Sequence, residues 1–309
     1  MMPQLLKCAG RFLLFIWTVA TLTFLLVRAV PGDPALAVLG PNPHPEDILR
    51  LRRSLQLDRP LAEQYSHFML RLAVLDLGES LVDRRPVRSS LGRYLPNTVL
   101  LAMAAMALTI PLSLLLGFLS VFRKNRLWEA LATVFSALGL AIPVFLLGLL
   151  LVLVFSLELG LFPVSGSGGI KFLVLPAVTL AFPLGAILTR MVRTVLREEA
   201  QRPYVLLARA KGLSAAQVFR RHILKNALIP IVTMTGMQAG TLLGGAVIVE
   251  NVFSWPGIGT LLVTAVRQRD LPTIQGSVLL ITALYSLTNL LVDLSYTRLD
   301  PRIAHDRSA

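Results

Sequence analysis

The sequence predicts an all-α membrane protein with six transmembrane helices, and three observations carry that expectation. Of 309 residues, 55% are hydrophobic and only 15% are charged, giving a mean hydropathy of +0.70. The apolar residues are gathered into uncharged runs of about 18 or more, long enough to cross a ~30 Å hydrocarbon core as helix. The lysines and arginines between the runs fall overwhelmingly on one side.

Taken in order, the first run is Phe12–Val27, slightly short but extended to Val30 if Arg28 snorkels to the headgroups. The others are Asn97–Phe122, Ala130–Leu157, Phe172–Thr189, Ala227–Val249 and Leu271–Val292. One set of connections holds Lys7, Arg11, Arg123, Lys124 and Arg126, the run of nine basic residues from Arg190 to Lys225, and Arg298, Arg302 and Arg307. The short connections on the other side hold Lys171, Arg267 and Arg269, which makes seventeen against three. This bias places both termini in the cytoplasm and explains most of the net charge of +13, so a nucleic-acid partner is not expected. The chain then divides into an N-terminal transmembrane helix (1–30), an external cap segment (31–95), a five-helix core (96–295) containing a cytoplasmic loop (197–226), and a cytoplasmic tail (296–309). A cleavable leader competes for the first run, since Ala35-Leu36-Ala37 imitates a cleavage site. It is disfavoured because Pro31-Gly-Asp-Pro34 precedes that site and cleavage would leave an odd number of spans.

The cap segment opens with two turn clusters, Pro31-Gly-Asp-Pro34 and Pro41-Asn-Pro-His-Pro45. Short amphipathic helices are expected to follow over Glu46–Leu57 and Leu61–Leu75. They form either a lid on the membrane surface or a contact for an external partner. His44 reads as a turn residue, and the single Cys8 can form no internal disulfide; no Cys/His cluster suggests a metal.

Enzyme chemistry finds no residues to carry it. No Gly-x-x-x-x-Gly-Lys-Ser/Thr loop is present, so the chain is not expected to bind or hydrolyse ATP. Pro163–Gly169 reads as an external turn. The middle of every span is uncharged, with Glu158, Glu250 and Asp293 at span ends, which argues against an ion-coupled carrier. Thr109, Ser113, Thr133, Ser136, Thr233, Gln238, Thr282 and Asn289 remain for interhelical hydrogen bonds or a polar, uncharged path. Pro111, Pro143 and Pro183 should kink their helices. Gly236, Gly240 and Gly244 recur every four residues, with Gly245 beside the last; this stripe packs either within the subunit or as a seam against a second membrane subunit.

The cytoplasmic loop is too polar for a bilayer and too regular for a tether. Tyr204–Lys211 predicts a short amphipathic helix ended by Gly212, and Ser214 with Gln217 predicts a capping box opening a second helix that runs into the fifth span. A helix–glycine–helix elbow is a lever through which a partner's motion could enter the membrane.

Ala208-Arg-Ala-Lys-Gly-Leu213 followed by Arg221-His-Ile-Leu-Lys-Asn-Ala-Leu-Ile-Pro230 resembles the coupling loop of the dipeptide/oligopeptide/nickel permeases of ABC importers, first-permease type. Pro31-Gly-Asp-Pro34, Leu57-Asp-Arg-Pro-Leu61, Leu75-Asp-Leu-Gly-Glu-Ser80, Leu95-Pro-Asn-Thr98, Gly244–Glu250, Trp255-Pro-Gly-Ile-Gly259, Arg269-Asp270 and Leu299-Asp-Pro-Arg302 extend the resemblance along nearly the whole chain. It implies a type I ABC importer transmembrane fold, a homologous second permease subunit, two cytoplasmic ATPase subunits that bind ATP and Mg, an external substrate-binding protein, and residence in a bacterial or archaeal inner membrane. Tyr204, Leu207, Ala208, Arg209, Ala210, Lys211 and Gly212 would then couple to the ATPase, with Arg209 and Lys211 meeting acidic groups or anchoring on the membrane surface. Glu250, Trp255, Pro256 and Gly257 would dip toward the external mouth of the path; from the residues alone this is a turn with an interfacial aromatic. The sequence departs from the family pattern at Leu206, where importers generally carry an acidic residue, and at Pro203, where the family usually has Asp. The implied cargo is di- or oligopeptide, with glutathione or a nickel chelate as alternatives. An autonomous carrier or channel and a structural scaffold are the competing functions.

Overall fold

The computed structural model describes residues 2–29, 44–54, 58–123 and 125–299. The Pro31–Pro34 cluster, Leu57, Lys124 and residues 300–309 of the tail lie outside the described residues. The helices are α1 (Met2–Ala29), α2 (Pro45–Ser54), α3 (Leu61–Ala73), α4 (Val87–Phe122), α5 (Arg126–Ala141), α6 (Val144–Leu151), α7 (Ile170–Ala200), α8 (Pro203–Ala210), α9 (Ala215–Val218), α10 (Leu224–Val252), α11 (Ile258–Gln268) and α12 (Leu271–Leu299). Among the described residues there is no strand, only an isolated antiparallel bridge between Glu79 and Pro86. Among the described residues, five helical segments are long and apolar enough to cross a membrane.

The Ala130–Leu157 span does not form as one helix. It is broken into α5 and α6, the latter continuing as π-helical turns over Val152–Glu158, and the two arms meet at 108°. The cause is Pro143: it has no N–H to donate into α5, and its ring drives Ile142 out of the helical region to φ −87°, ψ 119°. A kink is expected from such a proline; a break is observed. Counted as one span, this bent pair brings the number to six; α5 alone, at about 24 Å for 16 residues, is shorter than the hydrocarbon core. Pro111, Pro176, Pro183 and Pro230, by contrast, lie inside uninterrupted helices.

The chain forms two compact units. One comprises Met1–Val99 with Pro256–Ser286, the other Leu100–Trp255 with Leu287–Ala309. In the first, Val87, Leu91 and Ile258 form a small core flanked by Leu77, Tyr94 and Leu280. Phe24 of α1 packs on Tyr65 and Phe68 of α3 at ring-centroid distances of 5.3 and 5.5 Å. Residues 78–87 form a tight hairpin, with Val87 N–H donating to Gly78 O and Ser80 N–H to Arg85 O, both at 2.9 Å. The buried Asp270 carboxylate fastens it, accepting from Ser80 Oγ (2.6 Å), Leu81 N–H (3.0 Å) and Thr273 Oγ1 (2.7 Å).

In the second unit α7 is the hub. The α4 and α5 backbones approach it where they carry glycine: a Cβ on Gly117 would lie 2.4 Å from Val192 Cγ1, and one on Gly139 would lie 2.4 Å from Ala186 Cβ. Ser113 Oγ donates to Gly185 O at 3.0 Å and Thr109 Oγ1 to Ala181 O at 3.4 Å, and Thr133 Oγ1 accepts from Arg193, so three of the expected hydroxyls join helices. Thr233 and Thr282 instead bond the preceding turn of their own helices, and the buried polar atoms of Ser136 and Gln238 have no partner among the described residues. Arg197 reaches Glu129 of α5 at 2.7 Å and Arg193 reaches Thr133 Oγ1 at 2.9 Å, tying the far ends of α5 and α7.

Candidate functional site

The elbow between α8 and α10 is built from two interlocking caps. Pro203 opens α8 at a position where its missing N–H costs nothing. At the other end Gly212 sits at φ +83°; its N–H donates to Arg209 O (3.0 Å) and the Leu213 N–H donates to Ala208 O (3.4 Å). These two bonds form a Schellman motif, which needs a left-handed residue and so favours glycine. Ser214 then starts the next helix. Its Oγ accepts from Gln217 N–H at 3.3 Å while Gln217 Oε1 accepts from Ser214 N–H at 3.0 Å, closing a capping box. Only Gly212 and Leu213 separate the end of one cap from the start of the other. From Ala215 the helix runs through π-helical turns over Phe219–Ile223 into α10, a continuous path to Val252.

The elbow has an inner and an outer face. Val205 and Ala208 point inward and join Leu196, Val218, Ile223 and Ala227 in a buried cluster. Phe219 meets Phe118 and Phe122 of α4 at centroid distances of 5.0 and 4.9 Å, and those two rings lie 5.1 Å apart, so three rings lock the π turn to the end of α4. Outward stand Leu206 and Leu207, 56% and 57% exposed, with Arg209, Ala210 and Lys211 also exposed. Two large apolar side chains on a basic surface are a surface offered to something.

Tyr204 fastens the elbow at its base. Its hydroxyl donates to a Glu199 carboxylate oxygen at the end of α7 and accepts from Asn226 Nδ2 of α10 at 2.8 Å. Burial and the neighbouring Glu199 carboxylate raise the phenol pKa above its ordinary value, while Asn226 opposes them. Arg202 Nε adds a 3.5 Å ion pair to Glu199.

The structure thus distributes the sequence-derived coupling residues unevenly. Leu207, Arg209, Ala210 and Lys211 lie on the outer face, Gly212 makes the turn, Ala208 faces the protein's own core, and the Tyr204 hydroxyl is engaged within the chain. Glu199 and Asn226 were not singled out by sequence, and Leu206 was singled out only as a departure from the family pattern. Leu206 had a signal, an apolar residue beside Leu207 on a helix too short to bury both; the Glu199–Tyr204–Asn226 bridge had none.

The glycines of α10 do not share one environment. A Cβ on Gly236 would lie 2.5 Å from Val292 Cγ2, and one on Gly245 would lie 3.2 Å from Leu180 Cδ1, so both face helices of the same chain. Gly240 is buried, and Gly244 is exposed with nothing within 4 Å of its would-be Cβ. At the end of α10, Glu250 is fully buried and its carbonyl accepts from Trp255 N–H at 2.8 Å. Trp255 is not an exposed interfacial ring: it is 4% exposed, packed in the core that holds Phe253, Leu173 and Val249. Pro256 and Gly257 belong to the other unit, where Asn97 Nδ2 donates to Pro256 O and Ile258 N–H donates to Thr98 Oγ1, each at 2.8 Å.

Comparison with known proteins gives a consistent assignment. Residues 109–305 match the family described as binding-protein-dependent transport system inner membrane component, and residues 1–102 match its N-terminal membrane component family. The glutathione transport system permease protein GsiC of Escherichia coli (strain K12) is 38% identical over 290 residues, covering 94% of this chain and 95% of that protein. A provisionally named peptide transport system permease protein of Brucella abortus (strain 2308) is 36% identical over 314 residues, covering 99% and 100%. Among solved structures, a chain of an amino acid ABC transporter with histidines superposes with a TM-score of 0.57 at 16% identity, covering 68% of this chain and 94% of that one. A chain of the MetNI methionine ABC transporter, in inward-facing conformations, gives 0.52 at 19% identity, covering 68% and 96%. The fold is that of the type I importer permeases, and the chain belongs to the binding-protein-dependent transport system inner membrane component family, the membrane-spanning permeases of ABC importers.

Proposed function

We propose that this chain forms half of an alternating-access path and is driven through the α8–α10 elbow by an ATPase subunit in the cytoplasm. The observation that carries this reading is the elbow itself: exposed Leu206 and Leu207 on a basic helix, joined by a two-residue, doubly capped turn to a helix that continues into the membrane. Such a joint transmits displacement because it has no slack. The full assembly in this reading contains a second, homologous permease, two ATPase subunits carrying ATP and Mg, and an external binding protein that delivers cargo. The basic bias of the connections places the elbow and both termini on the cytoplasmic side. Gly244, open on its outward side, is the α10 glycine suited to a seam with the second permease.

Di- or oligopeptides are the cargo this reading favours, and glutathione, itself a modified tripeptide, is the second, supported by the relative named for its transport. The test is uptake into proteoliposomes by the assembled complex, with ATP inside and the cognate binding protein outside. Peptide or glutathione uptake that falls about tenfold per ATP hydrolysed in Gly212→Val, while ATP hydrolysis persists, supports both the cargo and the lever. Undiminished uptake by Gly212→Val removes the lever.

A further inference from the structure

The unit formed by Met1–Val99 and Pro256–Ser286 contains a pocket of about 530 Å³ between the end of α1, α3, the 76–86 hairpin and the start of α12. We propose that this pocket binds the phosphodiester headgroup of one membrane phospholipid.

Depth is the first reason. Arg28 lies in the last turn of the apolar segment Gly10–Ala29, and Leu271 is the first residue of the apolar segment Leu271–Val292; both line the pocket. Two span ends converging on one cavity put it at the level where hydrocarbon gives way to headgroups. Charge is the second. Arg71 is neutralised by Asp76, with Nε 2.9 Å from Oδ2. The Arg28 guanidinium lies 3.6 Å above the Phe24 ring and, among the described residues, its hydrogen bonds go to neutral groups, Gln64 Oε1 at 2.9 Å and Phe24 O at 3.4 Å. Among the described residues Arg84 has no ion-pair partner, and Glu79 is the remaining acid of the lining. The balance is one uncompensated positive charge, the complement of one phosphodiester.

Construction is the third. Leu75 and Arg84 both hold left-handed backbone, each at φ +56°, although neither is glycine, and Gly78 between them holds φ +80°. Such conformations are strained for a residue with a Cβ and gather at ligand clamps. Finally, Leu25, Leu26 and Leu70, on the two helices beside the pocket, and Val74, just past the end of α3, are more than half exposed, an apolar surface on which acyl chains can lie.

The experiment is native mass spectrometry of the full-length chain co-purified with its partner subunits, with retained phospholipid counted during stepwise delipidation. Wild type should hold a lipid after the bulk is stripped. Arg84→Glu, an exposed residue whose change removes no ion pair, should weaken retention about tenfold, the loss of roughly one charge-assisted contact. Arg88→Glu, equally exposed but outside the pocket, should leave retention unchanged. Equal retention by Arg84→Glu and wild type overturns the proposal, as does equal loss in Arg88→Glu. Displacement of the lipid by millimolar inorganic phosphate or by glutathione also overturns it, because the site would then be a soluble-anion site.

Discussion

Two turns in this molecule share a backbone solution and serve opposite ends. Gly78 at φ +80° and Gly212 at φ +83° both reverse the chain where no other residue is comfortable. Around Gly78 the hairpin turns its polar groups inward, onto the buried Asp270 carboxylate 190 positions away in sequence. Around Gly212 the two caps are satisfied within ten residues, 208–217, and the large apolar side chains Leu206 and Leu207 face out. The first turn is fastened to its own protein. The second keeps its outer face open. A buried charge specifies one arrangement because no other satisfies it, whereas paired caps make a segment rigid while leaving its surface free.

Removing Asp270 should break the first turn most severely. Asp270→Ala leaves the Ser80 hydroxyl and Leu81 N–H buried without an acceptor, and should cost about 3 kcal/mol, read as a fall in the thermal unfolding midpoint in detergent. At the second turn, Gly212→Val forces a β-branched residue to a positive φ and should cost about 1–2 kcal/mol in stability. Its larger effect should be functional, with cargo uptake per ATP hydrolysed falling about tenfold, a coupling loss of ordinary size. Leu206→Ser with Leu207→Ser should sharpen the contrast: stability should stay within about 0.5 kcal/mol because both side chains are exposed, while co-purification with the ATPase is lost. If the double variant still binds the ATPase, the outer face of α8 is not the docking surface.

The smallest expected effect is at Tyr204. Tyr204→Phe removes the bridge from Glu199 to Asn226 and should cost about 1 kcal/mol. Its pH dependence has a definite sign. The phenol pKa is raised in the folded state, so the bridge contributes fully below the ordinary tyrosine value of 10.0 and is lost as pH climbs through the raised value. The stability gap between wild type and Tyr204→Phe should close above pH 10 and be flat below it. A gap that closes on acidification instead would reassign the bridge.

What was legible in the sequence was local. The helix before Gly212, the Ser214–Gln217 box and the apolar runs all depend on residues within four positions of one another, and periodicity or capping chemistry announces them. Pairings across the chain were not legible. Nothing near Asp270 names Ser80, and nothing near Tyr204 separates a phenol that docks from one that bonds its own helices. Trp255 was expected at the interface because tryptophan favours it; that it also packs into a core with Phe253 and Leu173 was not announced by its neighbours in sequence. Pro143 was recognisable as a disturbance, but a kink and a 108° break begin from the same residue. The glycine spacing on α10 was real, while the contacts of Gly236 and Gly245 depend on Val292 and Leu180, which no pattern in α10 identifies.

The π-helical turns at Phe219–Ile223 give the elbow a sense of phase. A π turn carries one residue more than an α turn, so the segment behaves as a single-residue insertion locked in place by the aromatic ring of Phe219. Deleting one residue there would restore ordinary α geometry and swing α8 about 100° around the axis of α10, leaving every cap intact. The direction in which the lever points is thus set by counting, and a chain one residue shorter would present Leu206 and Leu207 to a different quarter of its surroundings.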